Sequence, residues 1–66
     1  MELIINGEPR QFSTALTVAE LVELLGYTGK RIAVERNGEI VPRSRHADAV
    51  LAGGDHLEIV VAVGGG

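Results

Sequence analysis

The stretch TVAELVELLG, residues 17–26, contains the signals for the beginning, the buried face and the end of one helix. Thr17 and Glu20 have the spacing of a capping box, in which each side chain bonds the backbone N–H of the other residue. Apolar residues spaced by three and four then place on one helix face Val18, Leu21, Val22 and Leu25. Gly26 can adopt the positive φ that ends a helix. The stretch therefore predicts a helix over residues 18–25 that packs on a core.

Strand and turn signals lie on both sides of this helix. Asn-Gly dipeptides, which are typical of two-residue hairpin turns, occur at residues 6–7 and 37–38. The segments rich in β-branched and aliphatic residues predict strands at residues 2–6, 9–13, 31–35, 39–41 and 56–63. Residues 43–52 show no clean period, and we expect them to form a turn-rich surface segment.

The order of these elements is hairpin, helix, hairpin, irregular segment and last strand. It predicts an α+β domain with a mixed four- to five-stranded sheet and one main helix packed on one face. If the first and last strands lie side by side at the centre, the sheet is a β-grasp (ubiquitin-like) sheet, but the sequence does not specify that pairing. We expect residues 1–63 to form the domain and residues 64–66 a flexible C-terminal glycine tail.

Composition excludes several classes of protein. The 66 residues carry a formal net charge of −3, with one Tyr, one Phe and no Trp, which argues against nucleic-acid binding. The absence of Cys excludes disulfides, thiolate metal sites and a thiol nucleophile. The N-terminus lacks the basic and apolar regions of a signal peptide, and no apolar run approaches the ~20 residues of a membrane span. We therefore expect a cytoplasmic protein that binds neither nucleic acid nor membrane.

Few side chains are candidates for catalysis. His46 and Asp48 lie close together in the irregular segment, and Asp55 and His56 are adjacent at a turn. They show neither metal-ligand spacing nor the order of a catalytic triad, and a strand rather than a helix N-terminus follows the glycines before Asp55. The simpler interpretation is that Asp55 serves the turn and His56 begins a strand. We expect no catalytic residue, no metal site and no enzymatic activity.

Two surfaces are candidates for protein contacts. Five of the six basic residues fall in the middle of the chain, Lys30, Arg31, Arg36, Arg43 and Arg45. They predict either a docking face for an acidic partner or an ordinary solvated surface. On the sheet face that the helix leaves uncovered, alternation places apolar side chains at Ile4, Ala33, Val60 and Ala62. Such a patch indicates a protein interface unless loops cover it.

The C-terminal residues Gly64, Gly65 and Gly66 decide the functional hypothesis. Glycine packs nothing and is costly to order, so three in a row predict a thin arm that can enter another protein's active site. A terminal carboxylate has a pKa near 3.5 and is ionised at neutral pH. It can attack the α-phosphate of ATP if a partner supplies the nucleotide and stabilises the developing charge. The alternative is a disordered tail or an expression scar without function.

The whole chain resembles the ThiS family of ubiquitin-like sulfur carriers. The resemblance rests on the order and spacing of short motifs rather than on any one of them. These motifs are Asn6-Gly7, Thr17-Val18, Leu24-Leu25, the run from Ile32 to Asn37, Ile40-Val41-Pro42-Arg43, Gly54-Asp55, Leu57-Glu58-Ile59-Val60 and Ala62-Val63-Gly64-Gly65-Gly66.

The resemblance implies a carrier whose Gly66 is adenylated by an E1-like, ATP-dependent adenylyltransferase and converted to a thiocarboxylate. It implies sulfur from a cysteine desulfurase persulfide and delivery to thiazole synthase for the thiazole of thiamine. ATP is used by the activating partner, and the carrier itself binds no cofactor. The partner-binding face would include Val60, Ala62 and Val63, beside the tail.

Four alternatives share parts of this pattern. They are the small subunit of molybdopterin synthase, a thiocarboxylate carrier for cysteine synthesis or tRNA thiolation, a ubiquitin-like protein modifier, and a β-grasp interaction module with an inert tail. The first is normally longer than this chain.

Overall fold

The computed structural model describes residues 1–62, which form five strands, one α-helix and one 3₁₀ turn. The strands are β1 (Glu2–Ile5), β2 (Glu8–Gln11), β3 (Ile32–Arg36), β4 (Glu39–Ile40) and β5 (His56–Val61). The helix α1 spans Val18–Leu24, and the 3₁₀ turn spans Arg43–Arg45.

The strands form one mixed sheet in the order β2-β1-β5-β3-β4. The first and last strands are parallel neighbours at its centre, with Ile4 opposite His56 and Ile5 opposite Leu57. All other neighbouring strands are antiparallel. The pairing that the sequence left open is therefore present, and the fold is a β-grasp.

Both Asn-Gly dipeptides form the predicted two-residue turns. Asn6 and Asn37 have φ values of 50° and 51°, and the following Gly7 and Gly38 have 82° and 87°. Positive φ at both central positions is the geometry of a type I′ turn. The first turn pairs Ile5 directly with Glu8, so β2 begins before the predicted residue 9 and ends before residue 13.

The helix begins and ends by the signals in its sequence. The Glu20 N–H donates to Thr17 Oγ1 at 3.1 Å, and the Thr17 N–H donates to Glu20 Oε1 at 2.8 Å. At the other end, the N–H groups of Gly26 and Tyr27 donate to the carbonyls of Glu23 and Val22, a Schellman motif. Leu25 is therefore the cap, and the last helical residue is one earlier than predicted.

The core lies between α1 and one face of the sheet. Its buried apolar residues are Leu3, Ile5, Leu16, Val18, Leu21, Val34, Leu51, Leu57 and Ile59. The segment 43–52, predicted to lie on the surface, also contributes to the core, because its Leu51 is buried. It caps the helix as well: the Val18 and Ala19 N–H groups donate to the carbonyls of Ala49 and His46. These bonds satisfy N–H groups that the first helical turn leaves without a partner.

Within residues 1–62, no helix is long and apolar enough to cross a membrane.

Candidate functional site

Where the sheet face opposite α1 crosses β5, it presents three rows of side chains, and we call this part of it the open face. Strand alternation places on it Ile4, Ala33, Glu35, Ile40, His56, Glu58 and Val60. Ile4 lies opposite His56 in the first row. Glu58 lies opposite Glu35, which lies opposite Ile40, in the second row, and Val60 lies opposite Ala33 in the third.

The apolar residues predicted for this face separate into two parts. Val60 is 61% exposed, and Ala33 and Ala62 are also exposed, so loops in residues 1–62 do not cover them. Ile4 is half-buried and lies on the other side of the row that contains Glu58. The predicted patch is therefore divided: the Ala33–Val60 pair and the exposed Ala62 are separated from Ile4 by carboxylates. Val63 and the glycines at 64–66 lie outside the described residues.

Ile40 is a member of this face that sequence reasoning missed. It is 64% exposed and lies directly across from Glu35. Its position follows from the two-residue turn at Asn37-Gly38, because that turn length forces Arg36 opposite Glu39 and Glu35 opposite Ile40. The signal was present in the sequence.

The carboxylates of Glu35 and Glu58 lie on directly opposed positions of β3 and β5. Like charges in such a pair repel each other and destabilise the sheet. Within residues 1–62 the one ion pair joins Arg36 to Asp55, so neither glutamate forms an ion pair with a described cation. The open face thus combines an exposed apolar pair with an uncompensated acidic pair.

Replacing Glu58 with Gln is expected to stabilise the protein, since it removes this repulsion while keeping the side-chain size. We expect the free energy of unfolding to rise by about 0.5 kcal/mol at low salt. The measurement is urea unfolding followed by circular dichroism, and the gain should shrink in high salt. Glu8→Gln, an equal charge change on the exposed edge strand β2, serves as control. Equal shifts in the two variants would contradict a specific Glu35–Glu58 repulsion.

Asp55 is the one buried charged residue among residues 1–62, and it joins three parts of the chain. Its Oδ2 accepts from Arg36 Nε at 2.8 Å and from the Ala52 N–H at 2.8 Å. Its Oδ1 accepts from Asn37 Nδ2 at 3.0 Å. Burial alone would raise the pKa of this carboxyl, but the bonds from Ala52, Asn37 and Arg36, with the Arg36 charge, lower it overall.

Asp55 therefore stabilises the turn that precedes β5, as the simpler interpretation predicted. Its bonds to Arg36 and Asn37 also connect this turn to the end of β3. His56 begins β5 as expected. His46 Nε2 lies 3.0 Å from the Val41 carbonyl, and Asp48 is exposed. No group of three His, Cys, Asp or Glu side chains within residues 1–62 is placed to hold a metal ion.

Four of the five basic residues in the middle of the chain line two clefts. Arg36 is paired with Asp55. Lys30 and Arg43 line one cleft, while Arg36 and Arg45 together line the other. The docking of an acidic partner on these cations stays a prediction.

The end of β5 connects the open face to the glycine residues. Val61 lies opposite Ile32, and the Ala62 N–H donates to the Arg31 carbonyl at 2.8 Å. Gly66 follows Ala62 by four residues, a distance of at most about 14 Å along the chain. The glycines thus follow directly from the strand that carries Val60.

Known proteins resemble the chain in sequence and in fold. It is 52% identical over its whole length to a thiazole synthase of Paramagnetospirillum magneticum, of which it covers 20%. It is 30% identical to the sulfur carrier protein ThiS of Escherichia coli, with both chains fully covered. A crystal structure of the thiamine biosynthesis protein (ThiS) from Geobacter metallireducens superposes with a TM-score of 0.85, at 32% identity and full coverage of both chains.

The relatives differ in size. The chain spans about one fifth of the length of the two thiazole synthases it matches. The ThiS family model matches residues 3–66, which include the described fold and the terminal glycines. The protein belongs to the ThiS family.

Proposed function

We propose that this protein is a sulfur carrier of thiamine biosynthesis that holds sulfur as a thiocarboxylate on Gly66. The observation that carries the proposal is the family match over residues 3–66, which extends through the terminal glycines. The named function of the Escherichia coli relative, a sulfur carrier protein of the same length, supports it. The chain acts as a co-substrate in this reaction, and its partners supply the catalytic groups.

The first step activates the Gly66 carboxylate. One of its oxygens attacks the α-phosphorus of ATP, the bond from that phosphorus to the bridging oxygen breaks, and pyrophosphate leaves. The product is an acyl-adenylate. We assign this step to an E1-like adenylyltransferase that binds the ATP, since the carrier contributes the carboxylate alone.

The second step exchanges oxygen for sulfur. The terminal sulfur of a persulfide, formed by a cysteine desulfurase, attacks the acyl carbon, and AMP leaves with the electron pair of the broken C–O bond. The resulting acyl disulfide is reduced by a second thiolate, which forms a disulfide and releases the Gly66 thiocarboxylate. The carrier contains no Cys, so these thiols belong to the partners. A cytoplasmic location, where ATP is available, fits this chemistry.

The proposed client is thiazole synthase. The thiazole synthases of Paramagnetospirillum magneticum and Magnetococcus marinus each contain a segment similar to this whole chain. The presence of both parts in one polypeptide supports a direct contact between carrier and synthase. A free carrier needs a binding surface for the same contact, and the open face beside the terminal strand is our candidate.

Transfer of labelled sulfur tests this function. The protein, the activating enzyme of the same organism, ATP and isotopically labelled sulfide are combined, and thiazole synthase with its substrates is added. We expect the label on Gly66 first and then in the thiazole product, with neither labelled when ATP is omitted. A labelled Gly66 without labelled thiazole would indicate that the carrier supplies sulfur to a different pathway. No label on Gly66 would favour the protein-modifier or interaction-module alternative.

Replacing Val60 with Lys is expected to weaken binding to thiazole synthase by at least about tenfold, which corresponds to 1.4 kcal/mol. A charge at the exposed Val60 would be desolvated beneath the partner without a matching group. The measurement is isothermal titration of each variant with the synthase. Val50→Lys is a matched control, since Val50 is 59% exposed but lies outside the open face. Unchanged affinity of the Val60 variant would exclude this face from the contact.

A further inference from the structure

The side chains of the two Asn-Gly turns bond β5 at two different places, its first residue and Ile59. The Asn37 Oδ1 accepts from the His56 N–H at 2.9 Å, and its Nδ2 donates to Asp55 at 3.0 Å. The Asn6 Oδ1 accepts from the Ile59 N–H at 2.8 Å, and its Nδ2 donates to the Ile59 carbonyl at 3.2 Å. Asn37 therefore holds the start of the strand, whereas Asn6 holds it near the exit toward the C-terminus.

Asn6 extends the sheet beyond the point where the β1 main chain leaves it. The Asn6 N–H donates to the Leu57 carbonyl at 2.8 Å, and the chain then turns away at Gly7. Two residues further along β5, the Asn6 side chain bonds both the N–H and the carbonyl of Ile59, as a neighbouring strand would. This side chain therefore adds one more rung to the parallel β1–β5 ladder.

Ile59 is the last described residue of β5 that has a partner on both the β1 side and the β3 side. Val34 lies opposite it on β3, and Asn6 bonds it from the β1 side. For the following residues, the described main-chain pairing is with the β3 side: Val61 lies opposite Ile32, and Ala62 bonds Arg31. Asn6 is thus placed to limit how far the end of β5 pivots about β3.

We propose that Asn6 is a positioning residue that sets the direction in which β5 presents the C-terminal glycines to a partner's active site. This inference rests on the proposed function. Gly66 follows Ile59 by seven residues, which can span at most about 25 Å. A pivot of about 10° at Ile59 would move the end of such a span by about 4 Å, whereas a misplacement of about 1 Å can lower a rate by about 100-fold.

The expected loss of rate is smaller than about 100-fold, because glycines between Ile59 and the reacting carboxylate can absorb part of the displacement. We expect loss of the Asn6 side chain to lower the rate of Gly66 modification by about tenfold at saturating carrier. The binding constant for the activating enzyme should change little, since Asn6 acts on the presentation of the tail and leaves the Ala33–Val60 pair in place.

The two turns offer matched variants, Asn6→Gly and Asn37→Gly. Both keep a residue that accepts positive φ, and each removes the bonds that one Asn side chain makes to β5. Asn6→Asp is a second test, since Asp tolerates the same turn and accepts from the Ile59 N–H but cannot donate to its carbonyl when ionised. All variants are compared at a temperature where circular dichroism shows them folded.

Two quantities are measured for each variant. One is the rate of thiocarboxylate formation with the activating enzyme, ATP and sulfide, over a range of carrier concentrations. The other is hydrogen exchange at the Ala62 amide, which bonds the Arg31 carbonyl at 2.8 Å. We expect both Asn6 variants to lose maximal rate and Ala62 protection, while Asn37→Gly keeps both near wild-type values.

Three results would overturn the inference. Wild-type rates in the Asn6 variants would show that the rung at Ile59 does not position the tail. Equal losses in the Asn6 and Asn37 variants would show a general effect of destabilisation. Either result leaves the proposed function standing. If the wild-type chain itself is never modified, the proposed function fails, and this inference fails with it.

Discussion

Replacement of Asp55 with Ala is expected to lower the free energy of unfolding by about 3 kcal/mol, because it removes a buried carboxylate that accepts bonds from three groups, each worth about 1 kcal/mol, although its Arg36 partner is itself 30% exposed. Arg36, Asn37 and the Ala52 N–H would all lose the carboxylate that they bond. A domain of this size has only roughly 3–5 kcal/mol of stability from its core. Urea unfolding should therefore show a variant that retains little of the wild-type stability.

The matched control is Asp48→Ala. Asp48 carries the same charge and lies in the neighbouring segment, but it is exposed. Its removal should change the free energy of unfolding by less than about 0.5 kcal/mol. Similar losses in the two variants would contradict the central role of the Asp55 contacts.

The Asp55 contacts also predict the acid sensitivity of the fold. The pKa of Asp55 is below its ordinary value in the folded state. Its contribution to stability is therefore fully present above the unfolded pKa of about 3.9, and it is lost as the pH falls through the lower folded pKa. We expect the stability of the wild type to fall more steeply below pH ~4 than that of Asp55→Asn. Parallel curves would contradict this assignment.

Deletion of Gly65 and Gly66 is expected to abolish thiocarboxylate formation while leaving the fold intact. The terminal carboxylate would then belong to Gly64 and lie about 7 Å short of its former reach. Glycine offers no side chain to pack, so the free energy of unfolding should change by less than about 0.5 kcal/mol. The measurements are the intact mass after incubation with the activating enzyme, ATP and sulfide, and the urea unfolding midpoint.

Binding provides the control for this deletion. The shortened chain should still bind the activating enzyme through its open face, with affinity reduced far less than the reaction rate. Modification of the shortened chain at the wild-type rate would contradict a position-specific role for Gly66. It would favour a reaction at another group of the protein.

Local signals made much of the fold predictable from the sequence. The capping box at Thr17 and Glu20 acts over three residues, and the Schellman motif at Gly26 acts over a single turn. The Asn-Gly dipeptides specify type I′ turns because Asn and Gly are among the residues that most readily accept positive φ. These features depend on neighbours in the chain, so a pattern of residue types is enough to identify them.

Contacts between distant segments were not predictable in the same way. Asn6 and Ile59 are separated by 53 positions, and the turn signal at Asn6 does not reveal that its side chain also bonds β5. The opposition of Glu35 and Glu58 depends on the register of two strands joined by a long irregular segment. Alternation alone places Glu58 on the open face, but its opposition to Glu35 became visible only in the structure.

Alternation along β5 correctly predicted that Val60 is exposed, because Leu57 and Ile59 lie on the opposite face, which packs on the core. The roles of Val60, Ala62 and the glycines in partner binding stay predictions, since they concern molecules outside this chain. The structure adds the acidic pair and Ile40 to the surface on which those predictions depend.

The most direct test of the proposed carrier function is the intact mass of the protein purified from its native host, beside a variant that lacks Gly66. We expect a fraction of wild-type molecules whose mass has increased by the replacement of one oxygen with one sulfur, and no such fraction in the variant. A wild-type chain that is unmodified in the host, and stays unmodified with ATP, the activating enzyme and a sulfur donor, would contradict this function.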